Sequence, residues 1–314
     1  MIDNIKFFGI PIFKSKRTKY YDKKYILGIR VWKSEKEKHW YDDFVKDNLK
    51  FKNQYMYFCG TPLGEASIFA RTLPFWYEKG VPIVCARKQH INVFRLFAPD
   101  VPIIYKGKGG LADPIRLNDN YFNPILGAFS LFAINHQKKH FFKQWEKYLN
   151  ADFSEATFPK AIISEEDRKS ALKKLRQKRI NLDKYIFVMK DANSIRKLNP
   201  FFWLKLSLKL KRLGFDVVCN SEKFSMAEAY AITEKAKALI SLRSGFNDIL
   251  SEIEVPQFLI YSKSRCHDDL QPMYTMKGFP WAANSYITEY NTTNQKAKDI
   301  ISDILEKIES KEDH

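Results

Sequence analysis

Hydrophobic residues in this chain cluster in short runs that alternate with longer amphipathic stretches. In chain order the runs cover residues 54–59, 81–86, 101–105, 185–189, 215–220, 238–242 and 256–261. Runs of this length are typical of strands buried on both faces of a parallel sheet. Several of the stretches between them carry apolar residues at helical spacing. The alternation predicts an α/β protein with doubly wound parallel sheets.

The pattern divides into two similar halves. A chain of 314 residues exceeds what one hydrophobic core usually supports, and residues 152–166 have the composition of a linker. We therefore predict two Rossmann-like domains, an N-terminal domain over residues 1–155 and a C-terminal domain over residues 156–314. Two aromatic and β-branched runs, 5–13 and 25–32, precede the first half and predict a leading β-hairpin.

One junction in the second half has the features of a phosphate site. The run 238–242 stops at Arg243-Ser244-Gly245, and apolar residues at helical spacing then begin a helix. A strand, a tight turn and a helix N-terminus together present backbone N–H groups and the positive end of a helix dipole. In the alternative interpretation, Ser244 only caps the helix and Arg243 only pairs with a carboxylate such as that of Asp248.

Two other loops follow predicted strands. The loop after 185–189 contains Asn193, Ser194 and Lys197, and it leads into a helix that begins at Pro200. Ligands of doubly wound sheets lie at the carboxyl ends of the strands, so this loop is expected to face the same cleft as Arg243. Turn formation is the rival role for the asparagine and the serine.

The loop after residues 54–59 reads G-T-P-L-G-E and ends at Glu65. The residues alone are consistent with an ordinary first-turn glutamate that the helix dipole favours.

The charge balance favours anionic partners. The chain has 53 basic and 36 acidic residues and a net charge of +17, which suits nucleic acid, anionic lipid headgroups or phosphorylated small molecules. Basic residues cluster at 14–24 and 168–179, and the first cluster lies among aromatic residues suited to a membrane interface. A solvated surface is the other interpretation of such clusters. Zinc-finger spacing, an RNP-like aromatic motif and a convincing helix-turn-helix pattern are missing, which counts against nucleic acid.

Several motifs that would assign the chain to another class are also missing from the sequence. It has no G-x-G-x-x-G after a strand, no P-loop and no Asp-x-Asp. The missing Asp-x-Asp removes the usual motif for holding a metal-bound diphosphate, so we predict no metal and no cofactor. Neither a signal-peptide pattern nor an apolar run long enough to span a bilayer is present, and we expect a cytoplasmic protein associated with the inner membrane.

Three segments together carry a family resemblance. They are I-S-L-R-S-G-F-N-D-I-L, A-N-S-I-R-K-L-N-P-x-x-W and G-T-P-L-G-E-A, each at the end of a predicted strand. The combination resembles bacterial GT-B glycosyltransferases that build surface polysaccharide such as lipopolysaccharide or capsule, and within them the ADP-heptose:lipopolysaccharide heptosyltransferase type. In that type a Gly-Asp carries the catalytic base, and Gly64-Glu65 is the matching pair. Lys197 matches a basic residue that binds the donor phosphates in that type. Arg243-Ser244-Gly245 stands where an Asp-Thr-Gly followed by a histidine is common.

The resemblance implies a hexosyl- or heptosyltransferase that uses a nucleotide-diphosphate sugar as co-substrate. It would move the sugar to a hydroxyl of a lipid-linked or surface polysaccharide acceptor, with inversion, without a metal and in peripheral contact with an anionic membrane surface. The predicted roles are Glu65 as catalytic base; Arg243, Ser244, Gly245, Lys197, Asn193 and Ser194 as donor-diphosphate ligands; and Thr61 and Gly64 as the acceptor loop. The alternatives are a basic nucleic-acid-binding protein without enzymatic activity and another nucleotide-dependent enzyme on two Rossmann-like domains.

Overall fold

The structure is a computed structural model. It describes residues 2–7, 10–17, 21–26, 29–35, 55–58, 63–75, 83–85, 88–105, 121–122, 140–149, 151–192, 195–220, 224–263 and 271–310. The chain divides into two compact units. Unit 1 comprises Met1–Gly60, Glu78–Lys88 and Val101–Asn123, and unit 2 comprises Thr61–Tyr77, Gln89–Asp100 and Pro124–His314. The predicted domain boundary between residues 155 and 156 stays a prediction.

Unit 1 begins with a four-stranded antiparallel sheet. Its strands are β1 (Ile2–Phe7), β2 (Ile10–Arg17), β3 (Tyr21–Ile26) and β4 (Ile29–Glu35), in the order β1-β2-β3-β4. The region predicted as a two-stranded hairpin forms four strands. Each run that was predicted as one strand spans parts of two strands. Gly9 and Gly28 fall between these strands in the sequence, at positions that suit a turn residue.

A second sheet of unit 1 is parallel. It contains β5 (Tyr55–Phe58), β6 (Ile83–Cys85), β7 (Ile103–Tyr105) and β8 (Tyr121–Phe122), in the order β7-β6-β5-β8. The first three strands lie within the apolar runs of the first half, which confirms the parallel arrangement predicted for them. The two-residue strand β8 has no matching apolar run in the sequence.

Unit 2 contains a five-stranded parallel sheet. Its strands are β9 (Tyr185–Met189), β10 (Asp216–Cys219), β11 (Ala238–Leu242), β12 (Gln257–Tyr261) and β13 (Ile287–Asn291). They lie in the order β10-β9-β11-β12-β13, and every adjacent pair is parallel. Every residue of β9, β11 and β12 is buried, as the continuous apolar runs predict. The edge strand β13 reads I-T-E-Y-N, and its polar residues conceal it from a search for apolar runs.

The helices follow in chain order. They are α1 (Leu63–Thr72), α2 (Lys88–Phe97), α3 (Phe141–Leu149), α4 (Glu165–Gln177), α5 (Pro200–Arg212), α6 (Met226–Lys235), α7 (Gly245–Leu250), α8 (Gln271–Tyr274) and α9 (Ala297–Glu309). Short 3₁₀ turns cover Leu73–Phe75, Met276–Gly278 and Asn284–Tyr286. Helix α5 begins as predicted, with Pro200 in its first turn and the Asn199 side chain accepting a hydrogen bond from the amide of Phe201.

The main core of unit 2 lies where α5 and α9 pack on the five-stranded sheet. Helix α5 contributes Phe202, Trp203, Leu206 and Leu210, and α9 contributes Ile300, Ile301, Ile304, Leu305 and Ile308. These side chains meet strand residues such as Ile186, Ile240 and Ile260, all of which are fully buried. The core therefore holds β9, β11 and β12 in place, and with them the loops that leave their carboxyl ends.

Candidate functional site

The strand order of unit 2 defines a topological switch point. The chain passes from β9 outward to β10 and then returns to the other side of β9 to form β11. Ligands of open α/β sheets bind outside the carboxyl ends of the strands at such a point. Ser241 near the end of β11 is paired in register with Met189 at the end of β9. The two loops predicted to bind the donor, 190–199 and 243–245, therefore begin from adjacent strands.

Two glycines bring the first turns of α1 and α7 together. A Cβ atom added at Gly245 would lie 2.4 Å from the backbone nitrogen of Gly64, and one added at Gly64 would lie 2.2 Å from Oδ2 of Asp248. Neither position has room for a side chain. Gly64, predicted in the acceptor loop, and Gly245, predicted at the donor diphosphate, thus form one contact. Thr61, the other residue of the predicted acceptor loop, lies outside the described residues.

Gly245→Ala is expected to lower the free energy of unfolding by about 2 kcal/mol or more, because its methyl group meets backbone that is fixed by two helices. Gly214→Ala is the matched control. Gly214 has a φ of 81°, but a Cβ there would meet only the Lys184 side chain, at 3.6 Å. Gly214→Ala should therefore lower the free energy of unfolding only by the strain of the left-handed backbone, about 1 kcal/mol. Urea denaturation of both variants measures the difference. Equal losses would contradict the close contact at Gly245.

Arg243 forms a buried ion pair with Asp248. Its Nη2 lies 2.6 Å from Oδ1 and its Nη1 lies 3.2 Å from Oδ2, and Nε donates to the Tyr274 carbonyl at 3.3 Å. Burial disfavours the charge, but Asp248 and Tyr261 outweigh it and raise the pKa of Arg243, so the guanidinium is ionised. Of the two roles that the sequence left open, the structure shows the pairing with Asp248. A contact with the donor diphosphate stays a prediction.

The turn between β11 and α7 is held by an asparagine side chain. The backbone N–H of Ser244 donates to Oδ1 of Asn247 at 2.8 Å, and Nδ2 of Asn247 donates to the Ser241 hydroxyl at 2.6 Å. Asn247 is fully buried. Its side chain therefore fixes the turn to the last part of the strand. The sequence pattern had assigned no role to Asn247, although its position three residues after Ser244 is that of the partner in a capping box.

Glu65 is a buried carboxyl beside this turn. Its side chain is 4% exposed, and the hydroxyl of Tyr274 donates to its Oε1 at 3.4 Å. Burial raises the pKa of Glu65 to about 7, and the nearby Asp248 acts in the same direction. A backbone hydrogen bond, Arg243 and Tyr274 oppose part of this effect. A carboxyl with such a pKa exchanges a proton readily near neutral pH, as a general acid or base must.

The loop after β9 is more exposed. Nζ of Lys197 lies 2.5 Å from Oδ1 of Asp191, and both side chains are more than 60% exposed, at 63% and 66%. The backbone N–H of Arg196 donates to the carbonyl of Lys263 at 2.8 Å, which joins this loop to the segment after β12. Lys197 thus forms its ion pair outside the cluster of Glu65 and Arg243. Two further predicted donor ligands, Asn193 and Ser194, lie outside the described residues.

Long-range packing brings Tyr274 to the site, where no sequence pattern had placed it. Its ring stacks on Phe141, with 5.8 Å between the ring centres, and the guanidinium of Arg243 lies 6.0 Å from the ring centre. Since Tyr274 follows Glu65 by 209 residues, no local pattern could have identified it.

A buried ion-pair network fixes the other end of α1. Nη1 of Arg71 lies 2.7 Å from Oε2 of Glu252 and donates to the Pro159 carbonyl at 2.8 Å. Oε1 of Glu252 accepts hydrogen bonds from the Tyr230 hydroxyl at 2.7 Å and from the amide of Ala161 at 2.8 Å. The Arg71 side chain is completely buried. The network orients α1 and thereby the first-turn carboxyl of Glu65.

Two kinds of feature are absent from the described ranges. No helix there is both long and apolar enough to cross a bilayer. No group of three or more His, Cys, Asp or Glu side chains there is arranged to hold a metal ion. The predicted independence from metal and cofactor stays a prediction.

The chain matches no protein-family model and no curated protein sequence. It does match solved structures. A glycosyl transferase family 9 protein from Veillonella parvula superposes with a TM-score of 0.54 at 12% identity, over 77% of this chain and 88% of that one. The ADP-heptose lipopolysaccharide heptosyltransferase II of E. coli superposes with a TM-score of 0.49 at 10% identity, over 82% of this chain and 99% of that one. TibC of enterotoxigenic E. coli, an iron-containing dodecameric glycosyltransferase, superposes with a TM-score of 0.47 at 15% identity, over 94% of this chain and 84% of that one.

The family 9 structure gives the chain its fold class. The superposition confirms the predicted resemblance at the level of the fold, which is that of a GT-B glycosyltransferase with α/β architecture and parallel sheets. At 12% identity the likeness concerns the fold alone. The activity has to be argued from the residues of the site.

Proposed function

We propose that this protein is a glycosyltransferase that moves a sugar from a nucleotide-diphosphate donor to a hydroxyl of a lipid-linked or surface polysaccharide acceptor. The proposal rests chiefly on one observation, the buried carboxyl of Glu65, whose pKa is raised to about 7 at the first turn of α1. The fold of the family 9 glycosyltransferase and the switch point between β9 and β11 support the same class.

Glu65 acts as the general base in this proposal. Its ionised carboxylate takes the proton of the acceptor hydroxyl while the hydroxyl oxygen attacks the anomeric carbon of the donor. The bond between that carbon and the phosphate oxygen breaks, and the electron pair leaves with the nucleoside diphosphate. Attack on the face opposite the leaving group inverts the anomeric configuration. A base whose pKa lies close to the working pH is the most effective for this step.

The loops after β9 and β11 stabilise the departing diphosphate, on which negative charge accumulates. The proposed ligands are Lys197, Arg243, Ser244, the Gly245 amide, Asn193 and Ser194, and no metal takes part. Because Asp248 already pairs with Arg243, the larger share of the diphosphate charge is assigned to Lys197. The ion pair between Lys197 and Asp191 is exposed, so exchanging it for a phosphate costs little.

Nucleotide binding tests the assignment of Lys197. In a thermal-shift panel of UDP, GDP, ADP and CMP, one nucleoside diphosphate is expected to raise the melting temperature, because a ligand that binds only the folded state stabilises it. Lys197→Ala is expected to weaken binding of that nucleotide roughly tenfold. Asp191→Ala is the matched control, since it breaks the same ion pair but keeps the cation, and it should bind at least as tightly as the parent.

Equal affinity of Lys197→Ala and the parent would remove Lys197 from the donor site. The net charge of +17 is also compatible with nucleic-acid binding, which the same protein preparation can test. Failure of all four nucleotides, combined with DNA or RNA binding that falls steeply with salt, would replace the glycosyltransferase assignment.

The acceptor is assigned in less detail than the donor. Thr61 and Gly64 belong to the segment that carries Glu65, and they are assigned to the acceptor. A lipid-linked acceptor is met at the cytoplasmic face of the inner membrane, and the basic and aromatic stretch 14–24 is the part of the chain that favours contact with an anionic membrane surface there.

A further inference from the structure

Helix α5 carries an exposed apolar stripe. Among the described residues, five large hydrophobic side chains are exposed: Phe75, Ile162, Phe201, Leu204 and Leu208. Three of the five lie on α5, with exposed fractions of 74% for Phe201, 54% for Leu204 and 50% for Leu208. The concentration on one helix distinguishes this surface from the scattered exposed apolar residues that soluble proteins usually have.

The stripe lies opposite the buried face of the same helix. Phe202, Trp203, Leu206 and Leu210 of α5 are buried in the core of unit 2. At roughly 100° of rotation per residue, the three exposed side chains fall within an arc of about 60° and extend over about 10 Å of the helix axis. They form one continuous ridge on the surface, which we call the α5 ridge.

Positive charges flank the α5 ridge on both sides. With the same helical rotation, Lys205 and Lys209 lie beside one edge and Lys211 beside the other, and Arg212 follows at the C-terminal end. Lys205, Lys211 and Arg212 are exposed, and Lys209 is partly exposed. The 13 residues of α5 include no aspartate or glutamate. The ridge therefore combines exposed apolar atoms with cationic borders.

We propose that α5 docks on an anionic lipid bilayer. Apolar side chains on an amphipathic helix enter the boundary between headgroups and acyl chains, and lysines beside them extend to the anionic headgroups. The α5 ridge consists of other residues than the basic stretch 14–24, and membrane docking does not require sugar transfer. Since Lys197 precedes Pro200 by three residues, docking of α5 would also hold the loop after β9 close to the bilayer.

Charge and side-chain type favour a bilayer over other occupants. A second copy of the chain would bring another 17 positive charges, and a two-fold contact through α5 would set its lysines against their equivalents. Single-stranded nucleic acid is held by aromatic side chains that stack on bases, whereas two of the three ridge residues are leucines. An anionic bilayer satisfies the apolar ridge and its cationic borders together.

Vesicle sedimentation tests the apolar part of the proposal. The protein, without any nucleotide, is mixed with vesicles of phosphatidylglycerol and phosphatidylcholine or of phosphatidylcholine alone. The parent is expected to sediment with the anionic vesicles. Leu204→Ser/Leu208→Ser should lower the partition coefficient roughly 10- to 100-fold, because two side chains lose their transfer into the acyl boundary. Ile162 is an exposed apolar residue outside α5. The Ile162→Ser variant should keep a partition coefficient within about twofold of that of the parent.

A second pair of variants tests the charges. Lys205→Glu/Lys211→Glu and Lys169→Glu/Lys173→Glu change the net charge equally, and all four lysines are exposed. Lys169 and Lys173 belong to α4, which has no exposed large apolar side chain. The α5 pair should weaken sedimentation roughly tenfold more than the α4 pair. Equal weakening would assign membrane binding to overall charge and overturn the proposal.

Three other outcomes would also overturn it. They are a parent protein that does not sediment with anionic vesicles, an α5 ridge variant that sediments like the parent, and a parent that self-associates in analytical ultracentrifugation while the ridge variant is monomeric. The last result would identify a second copy as the occupant. Vesicle binding is measured without donor or acceptor, so failure here leaves the nucleotide-binding test of the glycosyltransferase assignment unaffected.

Discussion

Glu65→Gln is expected to lower the rate of sugar transfer by about 10²- to 10⁴-fold while nucleotide binding stays within about twofold of the parent. Glutamine has the size and hydrogen-bonding capacity of the protonated acid, but it cannot take the proton of the acceptor hydroxyl. The measurement is single-turnover transfer with the nucleotide-sugar whose nucleotide gives the thermal shift. Transfer at the parental rate would make Glu65 a structural residue.

The pH dependence of the parent enzyme gives the same prediction a second readout. The base must be ionised, and burial raises the pKa of Glu65 to about 7. The parental kcat/KM should therefore rise tenfold per pH unit below about 7 and level off above it. The residual activity of Glu65→Gln should lack this limb. A parental profile that is flat from pH 5 to pH 8 would contradict the assignment.

Stability provides a control that needs no substrate. The pKa of Glu65 rises from its usual 4.5 to about 7 on folding, so the folded state binds more protons between these values. The stability that the protonated carboxyl provides is fully present below pH 4.5 and is lost as the pH rises through 7. Glu65→Gln should thus be more stable than the parent at pH 8, by up to about 3 kcal/mol, and only slightly more stable at pH 5.

Arg71→Met is expected to reduce the free energy of unfolding by about 3 to 5 kcal/mol, because it leaves the Glu252 carboxylate buried without its cation. Urea denaturation at neutral pH measures the loss. The double variant Arg71→Met/Glu252→Gln removes both charges and should recover part of the stability. Since Arg71 orients α1, the transfer rate of the single variant should fall as well.

Arg168→Met is the matched control for burial. Arg168 also pairs with a glutamate, Glu234, but the two side chains are 32% and 27% exposed, and the expected loss is about 0 to 1 kcal/mol. If both arginine variants lost the same small amount, the Arg71 network would not be the fixed support that its burial indicates.

The sequence was sufficient for the parallel sheet of unit 2, except for its edge strand β13. Strands β9, β11 and β12 are buried on both faces, so their sequences are continuous apolar runs that no other element of similar length imitates well. Strand β13 was not predicted because it lies at the edge of the sheet, where polar residues such as Thr288 and Glu289 remain partly exposed and interrupt the apolar run. The antiparallel sheet of unit 1 was predicted as one hairpin, because aromatic and β-branched residues continue across Gly9 and Gly28.

The sequence also drew attention to residues that follow strand ends. It identified Glu65 and Arg243 as candidates and named both possible roles of Arg243. The choice of Asp248 as the partner of Arg243 depends on side-chain geometry within one turn of α7, which residue spacing allows but does not decide. Tyr274 was missed because its contact with Glu65 joins two distant parts of the chain.

By itself, then, the sequence determined which segments form buried strands and which side chains stand at their ends, because these depend on local periodicity and on chain order. Only the tertiary structure decided that burial raises the pKa of Glu65, that Gly64 touches Gly245 and that Arg71 pairs with Glu252. A pKa depends on the loss of water and on the charges within a few ångströms, and both arise only when distant segments pack together.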